Sequence, residues 1–184
     1  ECGTQFGTNG VIVDTTNTYI PREIVIDSSF MWVVGEHDTD DMIIQKRRLD
    51  TGEFCTADTC GAGENFGTGG TVTGDATTGR MDSIKKDNTY LYVGGRNSSN
   101  QWYMEKRLLT TGALCTGGAC AAGDFDTDGK LTVTAGYSIS QLAIDANYIY
   151  IAGYQSTNNN WRIEKRKIDT GALCTASACA AGDF

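Results

Sequence analysis

The sequence predicts an all-β fold built from three tandem repeats, and three observations lead to this prediction. One stretch of residues occurs three times with the same order of residue types, at 42–60, 102–120 and 161–179. Phenylalanine recurs at intervals of 60, 59 and 59 residues, as Phe6, Phe66, Phe125 and Phe184. Glycine is abundant whereas proline occurs once, which favours short strands joined by tight turns. A fixed period of this size is typical of repeat architectures.

The phenylalanines set the expected boundaries of the repeats. We expect residues 1–5 to be the tail of a preceding repeat loop, followed by repeats at 6–65, 66–124 and 125–184. Each repeat is long enough for about four antiparallel strands of ordinary length.

The first two strands of each repeat are indicated by a hairpin pattern. Asp27, Asp87 and Asp145 each end a probable strand and are followed by two turn-type residues, which is typical of a tight hairpin. The next segment, at 30–35, 90–95 and 148–153, has aromatic or large residues on one side of the pleat and aliphatic residues on the other. Because both of its sides are apolar, we expect a central strand covered by neighbouring sheets.

The recurring stretch itself is expected to begin as the third strand. Trp102 and Met104 share one face of this strand, and Glu105 and Arg107 share the other. Equivalent pairs occur at the same site in the other repeats, as Gln45 with Arg47 and Glu164 with Arg166. This recurrence on a strand favours cross-strand ion pairing over a charged binding face. A Thr-Gly turn follows at 51–52, 111–112 and 170–171, and a short segment around Val72 or 131–133 completes the count of strands.

Six of the seven cysteines form local pairs with one spacing, which are Cys55/Cys60, Cys115/Cys120 and Cys174/Cys179. Zinc sites usually need a second pair or histidines close by, and His37 is the only histidine. The equal spacing favours three disulfide-closed loops, with free buried thiols or intermolecular bridges as alternatives. Disulfides imply an oxidising compartment, so we expect an extracellular or cell-surface location. Cys2 aligns with the second cysteine of each pair, so its partner is expected upstream or in another molecule.

Charge and motif content narrow the classes of function. A net charge of −8 and a pI near 4.5 disfavour nucleic acid and anionic membranes as partners. No apolar run approaches the roughly 18–20 residues that a membrane span needs, so we expect no membrane insertion. The sequence shows no Ser/His/Asp set, no phosphate-binding glycine loop with lysine and no paired catalytic carboxylates. We therefore do not predict an enzyme, and we expect His37 to be an ordinary loop residue.

One segment resembles the start of a calcium-binding loop. Asp124, Asp126 and Asp128 precede Gly129 in the pattern that calcium loops use for their first ligands and sharp turn. The twelfth position is Ala135, so the bidentate acid is absent. A solvated turn is the main expectation and calcium the alternative, and no other cofactor is predicted. Separately, Asn97 begins an Asn-Ser-Ser sequon in a polar loop, which makes it a candidate for N-glycosylation.

Three short motifs together resemble the delta-60 type of β-propeller repeat. They are Phe-Gly-Thr-Gly-Gly at 66–70, an aromatic-rich strand ending in glycine, and a strand that runs from Lys-Arg into Thr-Gly. The resemblance covers nearly the whole chain and implies propeller-blade-like units in a secreted or surface protein of bacteria. It implies a fold and no reaction. The Cys-x4-Cys loop and the acids at Asp126 and Asp128 depart from the pattern.

Three blades are too few to close a propeller, which needs roughly four to eight. We expect either a segment of a longer array or completion by identical copies, and Cys2 and the in-phase phenylalanines favour head-to-tail contact. Head-to-tail contact that does not close gives a filament or tube. The sequence thus predicts an extracellular structural protein that self-assembles into a filament, tube or surface layer. The alternatives are a surface-adhesin module that recognises glycan or protein, through loop residues such as 158–161, and a part of a propeller-scaffold enzyme.

Overall fold

The chain folds into three antiparallel β-sheets that follow one another in sequence. The computed structural model describes residues 5–15, 18–37, 41–74, 79–120, 125–155, 158, 160–175 and 179. Within these ranges the sheets contain four, four and three strands, and helix is limited to two short segments. The predicted all-β fold is therefore confirmed.

The strands of each sheet are consecutive neighbours. The first sheet contains β1 (Tyr19–Ile26), β2 (Phe30–His37), β3 (Met42–Arg48) and β4 (Thr71–Thr73). The second sheet contains β5 (Gly79–Lys86), β6 (Tyr90–Asn97), β7 (Trp102–Leu108) and β8 (Lys130–Val133). The third sheet contains β9 (Gly136–Ile144), β10 (Tyr148–Gln155) and β11 (Trp161–Lys167). Between β3 and β4 lie the helix α1 (Ala57–Cys60) and a 3-10 turn (Ala62–Glu64).

The outermost strand of the first two sheets comes from beyond the next phenylalanine in sequence. β4 follows Phe66 but pairs with β3, and β8 follows Phe125 but pairs with β7. The sequence period and the sheet are therefore out of phase, because each period after the first begins with the strand that completes the preceding sheet.

An aspartate closes each of the three hairpins, as predicted. Asp87 Oδ1 accepts hydrogen bonds from the backbone N–H groups of Thr89 and Tyr90, both at 2.7 Å. Asp27 and Asp145 make the same pair of contacts in their own turns. The Tyr92 hydroxyl donates to Asp87 Oδ2 at 2.9 Å, and burial together with this carboxylate raises the pKa of Tyr92.

The sheets pack face to face, with the second sheet in the middle. Its central strand β6 is buried on both faces along residues 90–95, as the apolar pattern predicts. Leu91 and Val93 join Trp32 of the first sheet in one core cluster. Tyr92 lies on the opposite face and joins Ile151 of the third sheet in a second cluster.

Polar groups at one register position link the three sheets in series. Glu23, Ser83 and Gln141 occupy equivalent positions on the first strand of each sheet. Their partners on the second strand are Val34, Gly94 and Ala152, respectively. The carboxylate of Glu23 accepts hydrogen bonds from Ser83 Oγ at 2.7 Å and from the Ile84 N–H at 2.5 Å. Ser83 Oγ in turn accepts one from the Leu142 N–H at 3.0 Å.

An arginine fastens the Thr-Gly turn of the recurring stretch. Arg107 donates from Nη1 to the Gly112 carbonyl and from Nε to Glu105 Oε2, both at 2.7 Å. Arg47 and Arg166 bind the corresponding turn carbonyls at 3.0 and 2.8 Å. The prediction of cross-strand ion pairing is therefore wrong, because Glu105 and Arg107 pair along a single strand. Residues two apart on one strand share a face, which explains the contact.

Each phenylalanine motif docks onto one of these turns. The backbone N–H of Gly7, Gly67 and Asp126 donates to the carbonyl of Thr51, Thr111 and Thr170, at 2.8–2.9 Å. Phe66 and Phe125 themselves are fully buried, whereas Phe184 lies outside the described residues. The period of the sequence therefore marks a repeated contact between a turn and the phenylalanine motif that precedes it by 44 residues.

The cysteines pair locally, as their spacing predicts. Each disulfide joins Cα atoms 5.2 Å apart, and the pairs are Cys55 with Cys60, Cys115 with Cys120, and Cys174 with Cys179.

The third disulfide differs from the other two in its surroundings, contrary to what identical spacing suggests. Cys55 and Cys115 are fully buried and belong to the two core clusters. Cys174 and Cys179 are only half-buried, and neither belongs to a core cluster. The reason is that in the described part of the chain no further sheet follows the third one. The Cys179 N–H still donates to the Thr175 carbonyl, at 3.4 Å, as the Cys60 N–H does to Thr56 at 3.0 Å.

Replacing Gly112 with alanine is expected to lower the free energy of unfolding by about 2–5 kcal/mol. Gly112 has φ +74°, and a Cβ there would lie 2.5 Å from Val72 and 2.9 Å from Phe66. The left-handed backbone costs about 1–2 kcal/mol and overpacking about 1–3 kcal/mol. Urea unfolding measures the loss. Gly117→Ala is the control, because Gly117 also has positive φ but has open space around it, and equal losses would contradict this account of the docking.

The hydrogen bonds that join Glu23 of the first sheet to the second sheet are expected to weaken in acid. We refer to these bonds as the join at Glu23. Burial alone would raise the pKa of Glu23, but bonds from Lys85, Ser83 and the Ile84 N–H hold it below its usual 4.5. The unfolded state therefore binds more protons as the pH falls below about 4.5, and stability is lost there. Glu23→Gln should cost about 1–3 kcal/mol at neutral pH and flatten the decline of Tm with acidification. Glu53→Gln, at an exposed carboxylate, is the control, and an unchanged pH profile for Glu23→Gln would argue against the join.

Candidate functional site: the two outer sheet faces

The first and third sheets each have one face that no other sheet covers within the described part of the chain. We call the outer face of the first sheet the head face, formed by Ile24, Met31, Val33, Ile43, Gln45 and Arg47. We call the outer face of the third sheet the tail face, formed by Tyr148, Tyr150, Tyr154, Trp161, Ile163 and Lys165.

The head face contains a cavity of about 460 Å³. Phe6 and residues 12–14 line one side of it, and the rest of the lining is mainly apolar, including Pro21, Val33 and Ile43. Arg47 contributes the main positive charge, lying 3.6 Å from Asp14 and 3.6 Å from the centre of the Phe54 ring. Burial lowers the pKa of Arg47, and Asp14 partly offsets that effect.

The tail face is the most apolar exposed surface of the third sheet. Trp161 is 85% exposed, Ile163 59% and Tyr154 44%. Lys165 lies beside them with Nζ 4.0 Å from the centre of the Tyr148 ring, a cation–π contact. An exposed cluster of large apolar side chains on one face commonly marks an interaction surface.

The equivalents of the tail-face residues are fully buried where one sheet meets the next. Trp161 corresponds to Met42 and Trp102, which are 0% and 1% exposed. The position of Ile163 is taken by Ile44 and Met104 in the first two sheets, and both are 0% exposed. These positions on the third strand are therefore buried in the first and second sheets and exposed in the third sheet.

The cavity of the head face lies where the other sheets receive those buried side chains. Met42 packs against Gly79 of the second sheet, and Trp102 packs against Gly136 and Gly153 of the third. The corresponding positions of the first sheet are Tyr19 and Gly35, and both line the cavity. The head face thus has a recess at this place, in which Gly35 matches Gly153 while Tyr19 stands where the other two sheets have glycine.

A lysine repeats the same relation between neighbouring sheets. Lys46 and Lys106 are buried, with Nζ 4.1 and 4.3 Å from the rings of Phe30 and Tyr90. Lys46 Nζ donates to the Thr110 carbonyl and Lys106 Nζ donates to the Ile168 carbonyl, both at 3.4 Å. Each of these carbonyls lies near the Thr-Gly turn of the following sheet. Burial lowers the pKa of Lys106, while Asp87 and Asp169 act in the opposite direction. Lys165 is the equivalent residue on the tail face.

The calcium candidate falls partly on described residues. Asp126 and Asp128 are exposed, with φ values of 49° and 53°, close to the 54° and 62° of Gly67 and Gly69. The turn therefore has the same backbone with and without the acids. Asp124 lies outside the described residues, within which no cluster of three metal-binding side chains occurs. Calcium binding stays a prediction.

The remaining candidates lie away from the two faces or outside the described residues. Asn97 closes its own loop, with Oδ1 accepting from the N–H groups of Ser99 and Gln101 at 3.0 Å. Its Nδ2 donates to the Gln101 side chain at 3.1 Å, a bond that a glycan on that nitrogen would replace. Glycosylation at Asn97 stays a prediction. His37 ends β2 and packs edge-to-face on Tyr19, and Cys2 lies outside the described residues.

Sequence reasoning pointed to self-association but missed the head-face recess and the role of Ile24. A signal was present in the sequence, because the third strand begins with two large apolar residues in all three repeats. Three sheets in series have only two contacts between sheets, so one of these pairs has no neighbouring sheet within the described residues. The two helical segments that the structure describes are far too short and polar to cross a membrane. No protein-family model and no curated protein matches this chain.

Proposed function

We propose that this protein is an extracellular structural protein built of propeller-blade-like repeats, and that its copies assemble head to tail. In this assembly the tail face of one copy packs on the head face of the next. The exposure of Trp161 and Ile163, whose equivalents are fully buried at the internal contacts, is the observation that carries the proposal.

The contact energy that this packing offers is substantial. Full burial of a large apolar side chain contributes about 1.5–3 kcal/mol relative to exposure. Trp161 and Ile163 on the tail face would be matched by Ile24 on the head face, which is 54% exposed whereas its equivalent, Ile84, is buried. Trp161 would enter the head-face recess in the way that Trp102 packs against the third sheet.

One pair of opposite charges would also meet at the edge of this contact. At the internal contact between the second and third sheets, Asp169 lies close enough to Lys106 to oppose the lowering of its pKa. Asp50, in the Thr-Gly turn of the first sheet, is the equivalent of Asp169. It forms an ion pair with Arg48, and its side chain remains 47% exposed. An assembled tail face would place Lys165 near Asp50 of the next copy.

The two faces differ, so the contact between copies is heterologous. A heterologous contact repeats from copy to copy and gives an open filament or tube unless the rotation happens to close a ring. The three disulfides support a location in an oxidising environment, at the cell surface or outside the cell. Nothing in this role needs catalysis, and we propose no enzymatic activity.

Blocking one face at a time tests the proposal. Trp161→Asp and Ile24→Asp should each prevent assembly when present alone, because a buried unpaired carboxylate is costly. An equimolar mixture of the two variants should form dimers and stop there, because only one intact pair of faces remains. Sedimentation velocity measures the sizes, and negative-stain microscopy identifies the wild-type filaments or tubes.

Tyr137→Asp is the matched control, since Tyr137 is an exposed aromatic residue on neither face. This variant should assemble as the wild type does. Discrete monodisperse wild-type particles, or a mixture of the face variants that grows beyond dimers, would contradict head-to-tail assembly.

A glycan-binding or protein-binding module of a surface adhesin is the second candidate, favoured by the head-face cavity. Ligand sites are typically apolar recesses of about 300–1,000 Å³ with a few polar groups, and this cavity has Arg47 and Gln45 in its lining. A glycan-array signal from monomeric protein that is lost in Ile20→Asp would favour binding over assembly.

A further inference from the structure

The proposed assembly has a second component, which involves the edge of a sheet rather than its face. We infer that residues 11–13 of one copy pair with β11 of the preceding copy and form the fourth strand of its third sheet. This inference rests on the proposed head-to-tail function and identifies the partner as a second copy of this chain.

The equivalents of β11 both carry an additional strand on their outer edge. β3 pairs with β4, and β7 pairs with β8. Within the described residues, β11 pairs with β10 alone. An open edge presents a row of backbone N–H and C=O groups on which another strand can form hydrogen bonds.

The register of the missing strand follows from the two complete sheets. Ile44 pairs with Val72 in the first sheet, and Met104 pairs with Leu131 in the second. Counting from the preceding phenylalanine, Val72 and Leu131 occupy the position of Ile12 in sequence. The same offset places Ile12 of the donor copy opposite Ile163 and Val13 opposite Arg162.

The donor segment is already held in the required shape. A Thr8–Val11 bridge matches the bridge that precedes β4, and Gly7 donates to Thr51 as Gly67 does to Thr111. Gly7 and Gly10 have φ values of 52° and 80°, against 54° and 82° for their equivalents before β4. A segment that is ordered in its bound form before binding loses little entropy when it pairs.

The composition of the segment also fits a strand that awaits a partner. Val11, Ile12 and Val13 are all β-branched and favour the extended conformation. Val11 and Val13 are 56% and 73% exposed. In β4 the flanking positions are threonines, so the donor is the more apolar of the two equivalent segments.

Docking of the faces and pairing of the edge are geometrically compatible. In the first sheet, the added strand β4 lies next to the Thr-Gly turn of the following sheet, where Val72 approaches Gly112. Ile12 approaches Gly52 in the same way. A copy seated with its head face on the tail face of another therefore carries residues 11–13 to the open edge of β11.

A disulfide trap tests the register of this pair. The Gly74 N–H donates to the Met42 carbonyl, so the neighbouring pair of Ile43 and Thr73 is a non-hydrogen-bonded pair. Such pairs have Cα atoms about 4.5 Å apart, which a disulfide can span. The corresponding pair between copies is Arg162 and Val13. We would mix Val13→Cys with Arg162→Cys, both in a Cys2→Ser background, and oxidise the mixture mildly.

The expected result is a covalent dimer at least about tenfold more abundant than from the control mixture of Val11→Cys with Arg162→Cys. Position 11 lies two residues along the strand, roughly 7 Å away. Equal cross-linking by positions 11 and 13, or none by either, would overturn the inference.

Hydrogen exchange on the wild-type chain gives a readout that needs no substitution. The N–H groups of Lys46 and Lys106 donate to the carbonyls of Gly70 and Gly129 at 2.9 Å. Assembly should therefore protect the Lys165 amide, which would donate to Gly10 of the next copy. Assemblies seen by sedimentation that leave Lys165 unprotected and positions 13 and 162 unlinked would overturn the strand pairing and leave face-to-face assembly intact. An absence of assemblies would overturn both.

Discussion

Burial of two apolar side chains at the start of the third strand against the following sheet is the contact on which this structure depends. Met42 and Ile44 make it for the first sheet, and Trp102 and Met104 for the second. The stack has no continuous core apart from these contacts between successive sheets, since its buried residues form two clusters, one at each contact. The third sheet carries an equivalent pair, Trp161 and Ile163, but there both side chains are exposed on the tail face.

Much of the fold could be predicted from the sequence because it depends on local chemistry. Asp87 closes its hairpin through hydrogen bonds to the next few residues, and the short repeated spacing of Cys115 and Cys120 favours a local disulfide. The fourth strand could not be assigned to its sheet in this way, because β4 pairs with β3 across the whole α1 segment. The partner of Arg107 was also predicted wrongly. Glu105 lies two residues earlier on the same face of the same strand, so its carboxylate is within hydrogen-bond distance of Arg107.

The candidate site was less predictable than the fold, for a related reason. Trp161 reads as a core residue in the sequence because Trp102, at the same position, is one. Only the arrangement of the sheets shows which copy of a repeated residue packs against a neighbouring sheet. The cysteines are a further example, since Cys179 is half-buried whereas Cys115 and Cys120 are buried. The head-face recess is made by Tyr19 and Gly35 on two strands together with Phe6 and residues 12–14, so no single motif could indicate it.

We propose that Trp161 changes from exposed to buried when copies associate, whereas Trp32 and Trp102 are buried throughout. These are the three tryptophans of the chain, so acrylamide quenching of tryptophan fluorescence across a dilution series reports on Trp161 almost alone. We expect strong quenching in dilute protein that falls as the assemblies form. Quenching that stays equally strong in assembled protein would show that the tail face remains open to solvent, and would contradict this proposal.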